Sequence, residues 1–300
     1  MSDSDWSAVA ELIHVSTNAY YTSHGMGAIF GGEPEVTTRL FCEVYEDLDP
    51  GCCLVAEHPD TGRLLGSCFY HPRGTHISLG IMNVHPSYFG QGVARRLLSE
   101  ITSRADKAGK PTRLVSSALN LDSFSLYSRA GFVPHTTFQD ILVTVPEEGL
   151  DVPLRDGVRN ATLDDLAAVV ALEEQVAGIR REGDWAYFIE NARGIWHVSV
   201  AIGSLGNVEG VLASVGHPGS RVVGPGVMRN ERTAIDLAAA ELDHHRGQTV
   251  LLLVPALARD VLGSVYTWGG RNCEIHFAQC RGKYAPFQGV VMPTFMPETG

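Results

Sequence analysis

Hydrophobic residues near the start of the chain recur at the spacing of an α-helix rather than that of a strand. Apolar residues three and four positions apart share a helix face, so this pattern predicts an opening helix that packs against a core. The residues of that face are Val9, Leu12, Ile13, Ser16 and Tyr20. A second helix of the same kind is predicted over residues 35–48.

Short apolar runs bounded by turn residues predict strands after these two helices. The sequence Pro-Arg-Gly at 72–74 separates two of the runs, which we therefore expect to form a hairpin. A longer helix is predicted to end before Gly109, because glycine commonly follows the last helical turn. In chain order the predicted elements are strands 54–57, 64–70 and 76–84, a helix from about 92, a strand at 113–118, a short helix at 123–130 capped by Asp122, and a strand at 139–145.

The same order of elements returns in the second half of the chain. An acidic, proline-bounded stretch predicts a linker at 147–153 between domains 1–146 and 154–300. Each half reads helix, helix, three strands, helix, strand, helix, strand. This order predicts an α/β fold, an α+β mixed sheet with a largely antiparallel start and a crossover around the long helix. The second-half elements are a strand at 158–161, helices after 162 and around 185–192, strands 197–202, 208–215 and 222–227, a helix through 235–242, a strand at 250–254, a short helix reaching 266 and a strand at 272–280.

A glycine-bearing loop joins the strand at 76–84 to the long helix. Gly90 and Gly92 lie in this loop, and the helix begins directly after it. Such a junction directs several backbone N–H groups and the positive end of the helix dipole to one point, which favours binding of a phosphate or pyrophosphate. Arg95 can contact the same anion, whereas Arg96 is expected on a solvated helix face. The alternative is an ordinary strand–helix turn that uses the glycines only for backbone geometry.

Composition narrows the class of protein. With 300 residues, of which 44% are hydrophobic and 19% charged, the chain has the size of roughly two globular domains. The net charge of −11 argues against nucleic-acid binding. It is compatible with a cationic substrate, or it serves solubility alone. The six cysteines include no CxxC pair, so no zinc or thioredoxin site is expected. Without a signal-like start or a membrane-length apolar stretch, we expect a cytoplasmic protein that holds no metal.

Two motifs in the first half resemble those of the GNAT N-acetyltransferase superfamily. The family loop is commonly written Arg/Gln-x-x-Gly-x-Gly/Ala, and Gly92 and Ala94 match its last two defined positions. Phe89 stands where the Arg or Gln is expected, which removes one side-chain donor. The later stretch 120–132 is also similar to the family, with an Asn followed by Tyr-x-x-x-Gly-Phe. The resemblance covers residues 1–146 and implies two GNAT-like acyl-CoA N-acyltransferase lobes in tandem.

The resemblance implies acetyl-CoA as the donor, with its pantetheine arm inserted between strands 76–84 and 113–118. A backbone N–H on the first of these strands would then stabilise the thioester oxyanion. The implied donor-binding residues are Met82, Asn83 and Val84 along the arm, and Phe89, Gly90, Gln91, Gly92, Val93, Ala94 and Arg95 around the pyrophosphate.

Two further residues are implied to act on the donor. Tyr127 would protonate the departing CoA thiolate as general acid, and Asn120 would hydrogen-bond the pantetheine arm. The alternatives are a packed tyrosine and a turn residue at a strand end. The general base stays open among five residues near strand ends and loops: Glu57, His71, His76, His85 and Asp122.

The second half resembles a GNAT lobe less closely. Tyr266 and Gly270 repeat the spacing of Tyr127 and Gly131, but residues 228–233, at the position of the glycine loop, contain no glycine. Glu231 is predicted at the helix N-terminus, where a carboxylate would repel a pyrophosphate. We therefore expect a degenerate lobe that shapes the acceptor pocket or fixes the arrangement of the halves, or else a purely structural lobe.

These patterns lead to one principal hypothesis. The protein is expected to transfer the acetyl group of acetyl-CoA to a primary amine of a small molecule or peptide, by direct attack in a ternary complex. The expected partners are acetyl-CoA and an amine-bearing acceptor, with neither nucleic acid nor membrane, in a monomer or homodimer. The alternative is a non-catalytic acyl-CoA-binding regulatory protein. A nucleotide-binding module is a weaker third hypothesis, because neither a dinucleotide fingerprint nor GxxxxGK[ST] occurs.

Overall fold

Twelve strands of the described chain form one mixed β-sheet in the computed structural model, which describes residues 1–152 and 156–298. The strands are β1 Cys53–Glu57, β2 Leu64–Pro72, β3 Ile77–Val84, β4 Thr112–Ser117, β5 Val133–Thr144, β6 Val158–Asn160, β7 Trp196–Ile202, β8 Val208–His217, β9 Ser220–Met228, β10 Thr249–Pro255, β11 Arg271–Arg281 and β12 Val290–Met292. The helices are α1 Trp6–Ser23, α2 Pro34–Thr37, α3 Arg39–Leu48, α4 Val93–Ala108, α5 Leu121–Arg129, α6 Leu166–Ala177, α7 Glu182–Glu190, α8 Glu231–Asp243 and α9 Arg259–Thr267. The predicted mixed α/β fold class is confirmed.

The two halves of the chain exchange their last long strands. The sheet order is β1-β2-β3-β4-β11-β5-β10-β9-β8-β7-β6, with β12 paired to β9. Strand β5 closes the first half of the chain but pairs with β10, whereas β11 comes from the second half and pairs with β4. The two exchanged strands also pair with each other. Each half of the sheet is therefore completed by a strand from the other half.

The division into domains 1–146 and 154–300 stays a prediction, because it follows the chain order and not the exchanged sheet. The last residue of the predicted linker, 153, lies outside the described residues, as do 154–155 and 299–300.

An opening in the sheet lies between β3 and β4. Strands β3 and β4 run parallel but pair only at Ile77 with Thr112 and at Ser78 with Arg113. Beyond these pairs β4 continues along β11 and β3 continues along β2. The strands therefore separate towards their carboxyl ends, which is the region where parallel α/β sheets commonly bind ligands.

A β-bulge lies where the two strands separate. Cys68 pairs with Met82 and Tyr70 with Leu79, so two residues of β3 oppose the single residue between them on β2. Gly80 is one of the two, and a Cβ there would lie 2.8 Å from His71 Nε2 and 3.1 Å from the Phe69 Cβ. Bulges bend and twist a strand. Here the extra residue accompanies the departure of β3 from β4.

Three apolar clusters hold the helices on the sheet. Residues of α1, α3 and α7 pack in one cluster, residues of α4 and α5 in a second, and residues of α8 and α9 in a third. Ile141 of the exchanged strand β5 is fully buried in the third cluster. First-half sequence thus contributes to the core of the second half.

Some local predictions differ from the structure. The helix expected over 35–48 is interrupted at Thr38, whose hydroxyl donates to the carbonyl of Ala10 at 2.6 Å. Asp122 is not the cap of α5, because Asn120 occupies that position and accepts a hydrogen bond from the Ser123 N–H at 2.9 Å. The sequence pattern does not predict strand β12. None of the helices described is both long and apolar enough to cross a membrane.

We predict that Ile141→Ala lowers the free energy of unfolding by about 2–5 kcal/mol, because truncation leaves a cavity in a fully buried site. Urea unfolding followed by circular dichroism measures this. Leu142→Ala is the matched control on the same strand, since its side chain is 38% exposed and its truncation should cost no more than about 1 kcal/mol. Equal losses in the two variants would contradict the place of Ile141 in the core.

Gly80→Ala is expected to lower the free energy of unfolding by about 1–3 kcal/mol, since the added methyl group would overlap His71 and Phe69. The control is Gly74→Ala, where a Cβ meets nothing within 4 Å of the described structure. Thermal and urea unfolding should leave this control close to wild type. A wild-type midpoint for Gly80→Ala would show that the bulge has room for a side chain.

Candidate functional site

The N-terminus of α4 is open to a ligand. Gly90 and Gly92 have left-handed φ angles of 74° and 85°, which glycine adopts without steric cost. Among the described residues no side chain caps the first turn, and that turn holds no acidic residue. Its N–H groups therefore lack intrahelical partners and carry the positive end of the helix dipole.

A positive side chain lies over this open turn. A Cβ at Gly92 would stand 3.3 Å from Nη2 of Arg95, so the guanidinium folds back over the loop. Phe89, at the position where the motif expects Arg or Gln, is 52% exposed and offers no polar group. The amide of Gln91 donates to the Ser87 carbonyl at 3.2 Å. Arg95 thus supplies the positive charge near this turn that Phe89 cannot supply.

The opening between β3 and β4 exposes a strand edge. Gly66, Ser67 and Cys68 of β2 pair with Val84, Asn83 and Met82, respectively. In the described part of the chain no strand pairs with the other edge of β3 beyond Ser78. An unpaired edge presents N–H and C=O groups that an extended molecule can pair with.

A polar side chain in the same stretch also lacks a partner. The side-chain amide nitrogen of Asn83 is buried without a hydrogen bond in the described structure. A buried amide without a partner costs free energy, so a ligand with an acceptor group would stabilise it. The chemistry of this stretch fits the amide-rich arm of an acyl-CoA.

Tyr127 lies inside the second apolar cluster, beside the opening. It is 7% exposed and its ring centroid is 5.8 Å from that of Phe132. Burial, followed by the charges of Cys68 and Glu298, raises the pKa of its hydroxyl well above the usual value. Within the described chain the hydroxyl has no hydrogen-bond partner. The phenol therefore keeps its proton at neutral pH.

Asn120 has a structural role at the start of α5. This role is close to the alternative given above, a turn residue at a strand end. Its Oδ1 accepts the Ser123 N–H and so caps α5. The cap leaves the amide N–H₂ group to donate elsewhere. Asn120 and Tyr127 lie at opposite ends of this short helix, one just before its first turn and one in its last.

The five candidate bases from the sequence do not converge. His71 lies 2.7 Å from Asp49 Oδ2 in the core, and His76 is buried next to Ser78 and Thr75. Burial and nearby arginines lower the pKa of His76 far below its usual value, so it is neutral. His85 accepts from the Ser87 N–H in the loop.

The two acidic candidates are also apart from each other. Glu57 is exposed at the end of β1. Asp122 lies in the first turn of α5, where its charge contributes to raising the pKa of Tyr20.

A cluster that the sequence did not reveal lies at the carboxyl end of β4. The Tyr21 hydroxyl donates to Glu274 Oε2 at 2.9 Å, and Ser117 also donates to the Glu274 carboxylate. Next to them, His276 Nδ1 is 2.9 Å from Asp140 Oδ2. These five residues come from α1, β4, β5 and β11, so no local spacing connects them. The available signal was the pair of ionisable residues two apart in the strand predicted at 272–280.

Burial next to this cluster raises the pKa values of two tyrosine hydroxyls, those of Tyr20 and Tyr21. The pKa of Tyr20 is raised to about 12, first by burial and then by the charges of Glu274 and Asp122. Burial and the Glu274 carboxylate also raise the pKa of Tyr21 well above its usual value. Both hydroxyls are therefore protonated at neutral pH. Tyr21 donates to Glu274, whereas the Tyr20 hydroxyl is buried without a hydrogen-bond partner among the described residues.

The second half has filled the corresponding opening with its own chain. Strands β9 and β10 pair in parallel only at Val222 with Leu251 and at Val223 with Leu252. Beyond them, β12 pairs with Gly226, Val227 and Met228. Because β8 holds the other edge of β9 at the same residues, β12 lies on the edge that faces β10.

The N-terminus of α8 is also occupied. Asn230 accepts the Thr233 N–H at 2.9 Å and so caps the helix. The Glu231 carboxylate accepts the backbone N–H of Asp260 at 2.6 Å, at the start of α9. Among the residues described in this half, the strand opening is therefore filled and the helix N-terminus is capped, which agrees with the degenerate lobe expected from the sequence.

The chain continues from β12 into the first half. The ring of Phe295 lies 5.0 Å from that of His276, and Tyr45 donates to Glu298 Oε2 at 2.6 Å. Burial raises the pKa of the Glu298 carboxyl above its usual value. No chemical role is predicted for residues 287–300, yet their described part, up to 298, enters the cores of both halves.

This chain is similar to known proteins in sequence and in fold. Residues 14–132 match the model of the acetyltransferase (GNAT) family. A structure described as an acetyltransferase from Pyrococcus horikoshii is 14% identical, with a TM-score of 0.74 over 99% of this chain and 94% of that one. A GCN5-related N-acetyltransferase from Sphaerobacter thermophilus is 17% identical, with a TM-score of 0.63 over 96% of each chain.

A third solved structure has the tandem arrangement. It is a tandem GNAT protein from the clavulanic acid biosynthesis pathway, 13% identical, with a TM-score of 0.60 over 94% of this chain and 97% of that one. No curated protein matches this chain. Residues 14–132 are therefore similar to the GNAT acetyltransferase family, and the chain as a whole has the fold of a tandem GNAT protein.

Proposed function

We propose that the first half of the chain, residues 1–146, binds acetyl-CoA and transfers its acetyl group to a primary amine of a small molecule or peptide. The observation that supports this most strongly is the uncapped N-terminus of α4 beside the open edge of β3. One feature suits a pyrophosphate and the other suits an extended amide-containing arm.

The donor would contact two stretches. Its pyrophosphate would lie at the glycine loop, where the first-turn N–H groups and Arg95 face one point. Its pantetheine arm would pair with the free edge of β3, at Met82, Asn83 and Val84. A backbone N–H in the same stretch would donate to the thioester oxygen as it gains negative charge. Phe89, on the exposed side of the loop, would border the donor without a polar contact.

The transfer would proceed by direct attack of the amine on the thioester carbon. A new C–N bond forms and the C–S bond breaks, which leaves a thiolate. Tyr127, whose phenol is protonated at neutral pH, would donate its proton to that thiolate. Asn120 would donate its side-chain amide to the pantetheine arm.

The second half would have no donor site of its own. Its strand opening is filled by β12 and its helix N-terminus by Asn230. We further propose the domain limits 1–146 and 154–300, joined by a linker at 147–153, in a cytoplasmic monomer or homodimer.

Calorimetric titration of acetyl-CoA is expected to give one site per chain. Gly92→Glu should weaken binding by two orders of magnitude or more, because like charges brought together cost several kcal/mol and each ~1.4 kcal/mol is tenfold in affinity. Gly109→Glu is the matched control, since Gly109 also has a left-handed φ, of 64°, at the other end of α4. Two sites per chain, or equal affinity in both variants, would contradict the proposed donor site.

Tyr127→Phe should lower kcat by about 10²–10⁴-fold, the usual contribution of a general acid, while the Kd of acetyl-CoA stays near wild type. Thiol release in the presence of primary amines measures kcat. Tyr70→Phe is the control, because Tyr70 lies in the same apolar cluster and its hydroxyl accepts from Arg104. Unchanged kcat in Tyr127→Phe would remove this residue from the mechanism, and donor binding without transfer to any amine would favour the non-catalytic alternative.

A further inference from the structure

A cluster of ionisable side chains stands outside the proposed donor site. We call Asp140, Glu274 and His276 the carboxylate–histidine cluster. One ligand-type atom from each residue lies within 4.8 Å of the others, and all three side chains are buried. The two carboxylates face each other across adjacent strands, because Glu274 pairs with Asp140 in the β5–β11 register.

The polar atoms of the cluster are incompletely satisfied by the described residues around them. In the described residues neither carboxylate forms an ion pair with an arginine or lysine. Asp140 is 2% exposed and its Oδ1 has no hydrogen-bond partner. His276 is 6% exposed, and its Nδ1 is near Asp140 but makes no hydrogen bond of acceptable direction. Buried charge without a partner is costly, so the cluster lacks a cationic donor.

Glu274 is held in one orientation by two hydroxyls. Tyr21 donates to Oε2 and Ser117 to Oε1. Each carboxylate oxygen has room for a second donor, because a carboxylate can accept about four hydrogen bonds. A compact group with several N–H donors would satisfy both Glu274 and the free Oδ1 of Asp140. An alkylammonium group has three such donors and one positive charge.

The cluster borders the opening where the donor would enter. Ser117 is the last residue of β4 and pairs with His276, and the Ala118 N–H donates to the Ile275 carbonyl. Helix α5, which carries Tyr127, begins four residues after Ser117. The phenol of Tyr21 lines the α1 side, where it donates to Glu274, and the ring centroid of Tyr20 lies 5.5 Å from that of Tyr21.

We propose that the carboxylate–histidine cluster holds the ammonium group of the acceptor and accepts its proton before attack. This inference rests on the proposed acetyl transfer. The ammonium loses one proton to the cluster and becomes a free amine, and its nitrogen forms the C–N bond while the C–S bond breaks. The nitrogen then loses a second proton to solvent, and the thiolate takes one from Tyr127. The cluster then releases the proton it took and the Tyr127 phenolate regains one, which restores both groups. The sum converts an ammonium and a thioester into an amide, a thiol and one released proton.

The proposal gives the degenerate half a chemical role. Glu274 and His276 belong to β11, which the second half of the chain inserts beside β4. Asp140 belongs to the strand that the first half gives in exchange. The acceptor site is therefore built by the strand exchange, although only the first half would bind the donor.

The test compares two nucleophiles with the full-length protein and acetyl-CoA. The probe n-butylamine is an ammonium at neutral pH, whereas hydroxylamine is largely unprotonated there. Glu274→Gln should lower kcat/KM for n-butylamine by about 10²-fold or more and lower that for hydroxylamine only a few-fold. A merely structural role of Glu274 would lower both values equally, and this result would overturn the proposal.

Glu241→Gln is the matched control. Glu241 is a fully buried carboxylate that accepts from the Ser214 hydroxyl at 2.6 Å and lies 2.9 Å from His197 Nδ1, in the second half. It should keep wild-type kcat/KM for both nucleophiles. If Glu274→Gln fails to bind acetyl-CoA, the Tyr21→Phe variant is used to test the proposal instead. Loss of its hydrogen bond to a charged group should lower kcat/KM for n-butylamine about tenfold, and no change would overturn the proposal.

Two further outcomes separate this inference from the proposed function. If wild type binds acetyl-CoA but transfers to neither nucleophile, the proposed function fails and the acceptor site with it. If wild type transfers to n-butylamine and Glu274→Gln does so equally well, only the acceptor site fails. Carboxylate and imidazole ligands also bind zinc or manganese. Stoichiometric metal in the purified protein, with activity lost on chelation, would therefore overturn the ammonium assignment.

Discussion

The pairing of β5 with β11 is the constraint on which the rest of the architecture depends. These two strands exchange places between the halves and then pair with each other, so one continuous sheet runs through both. Without β11, strand β4 would have no partner over Leu114–Ser117 and would present an open edge. Exposed edges favour aggregation. The exchange lets β4 leave β3 and still keep its backbone hydrogen bonds.

The two halves differ chemically in what occupies the opening where a parallel strand pair separates. Each has a parallel strand pair that meets at only two positions and then diverges. In the first half the divergence is left open, with glycines at the helix N-terminus and no capping side chain among the residues described. In the second, β12 and Asn230 supply the hydrogen bonds that a ligand would otherwise supply. A few residues thus decide whether the same backbone offers a binding site or a packed core.

The sequence predicted the features that depend on local spacing. Helical stripes, the glycine loop and the repeat of element order all follow from residues close together in the chain. The loss of an anion site at Glu231 was also predictable, because a carboxylate at a helix N-terminus needs no tertiary information to interpret. The capping of α5 was missed by two residues, since Asn120 and Asp122 are both good caps and only the backbone geometry separates them.

Features that depend on distant pairing were not predictable. Strand order is set by which edges are free when the sheet forms, and an exchange of two similar strands leaves the hydrophobic pattern of each unchanged. The cluster of Asp140, Glu274 and His276 depends on that exchange, so it could not be seen before the sheet was known. The same holds for Glu298, whose partner Tyr45 is 253 positions away.

The late position of β11 and Glu298 in the chain determines when the first half can finish folding during translation. Strand β4 lacks its neighbour until Arg281 has been made, and Tyr45 lacks its carboxylate partner until Glu298 has been made. Domains usually fold as units while the chain emerges, starting from the N-terminus. Here the sheet of the amino-terminal half stays incomplete until β11 has been made, and Tyr45 stays without its partner until Glu298 has been made. A stop codon before β11 would therefore damage the half that was translated first.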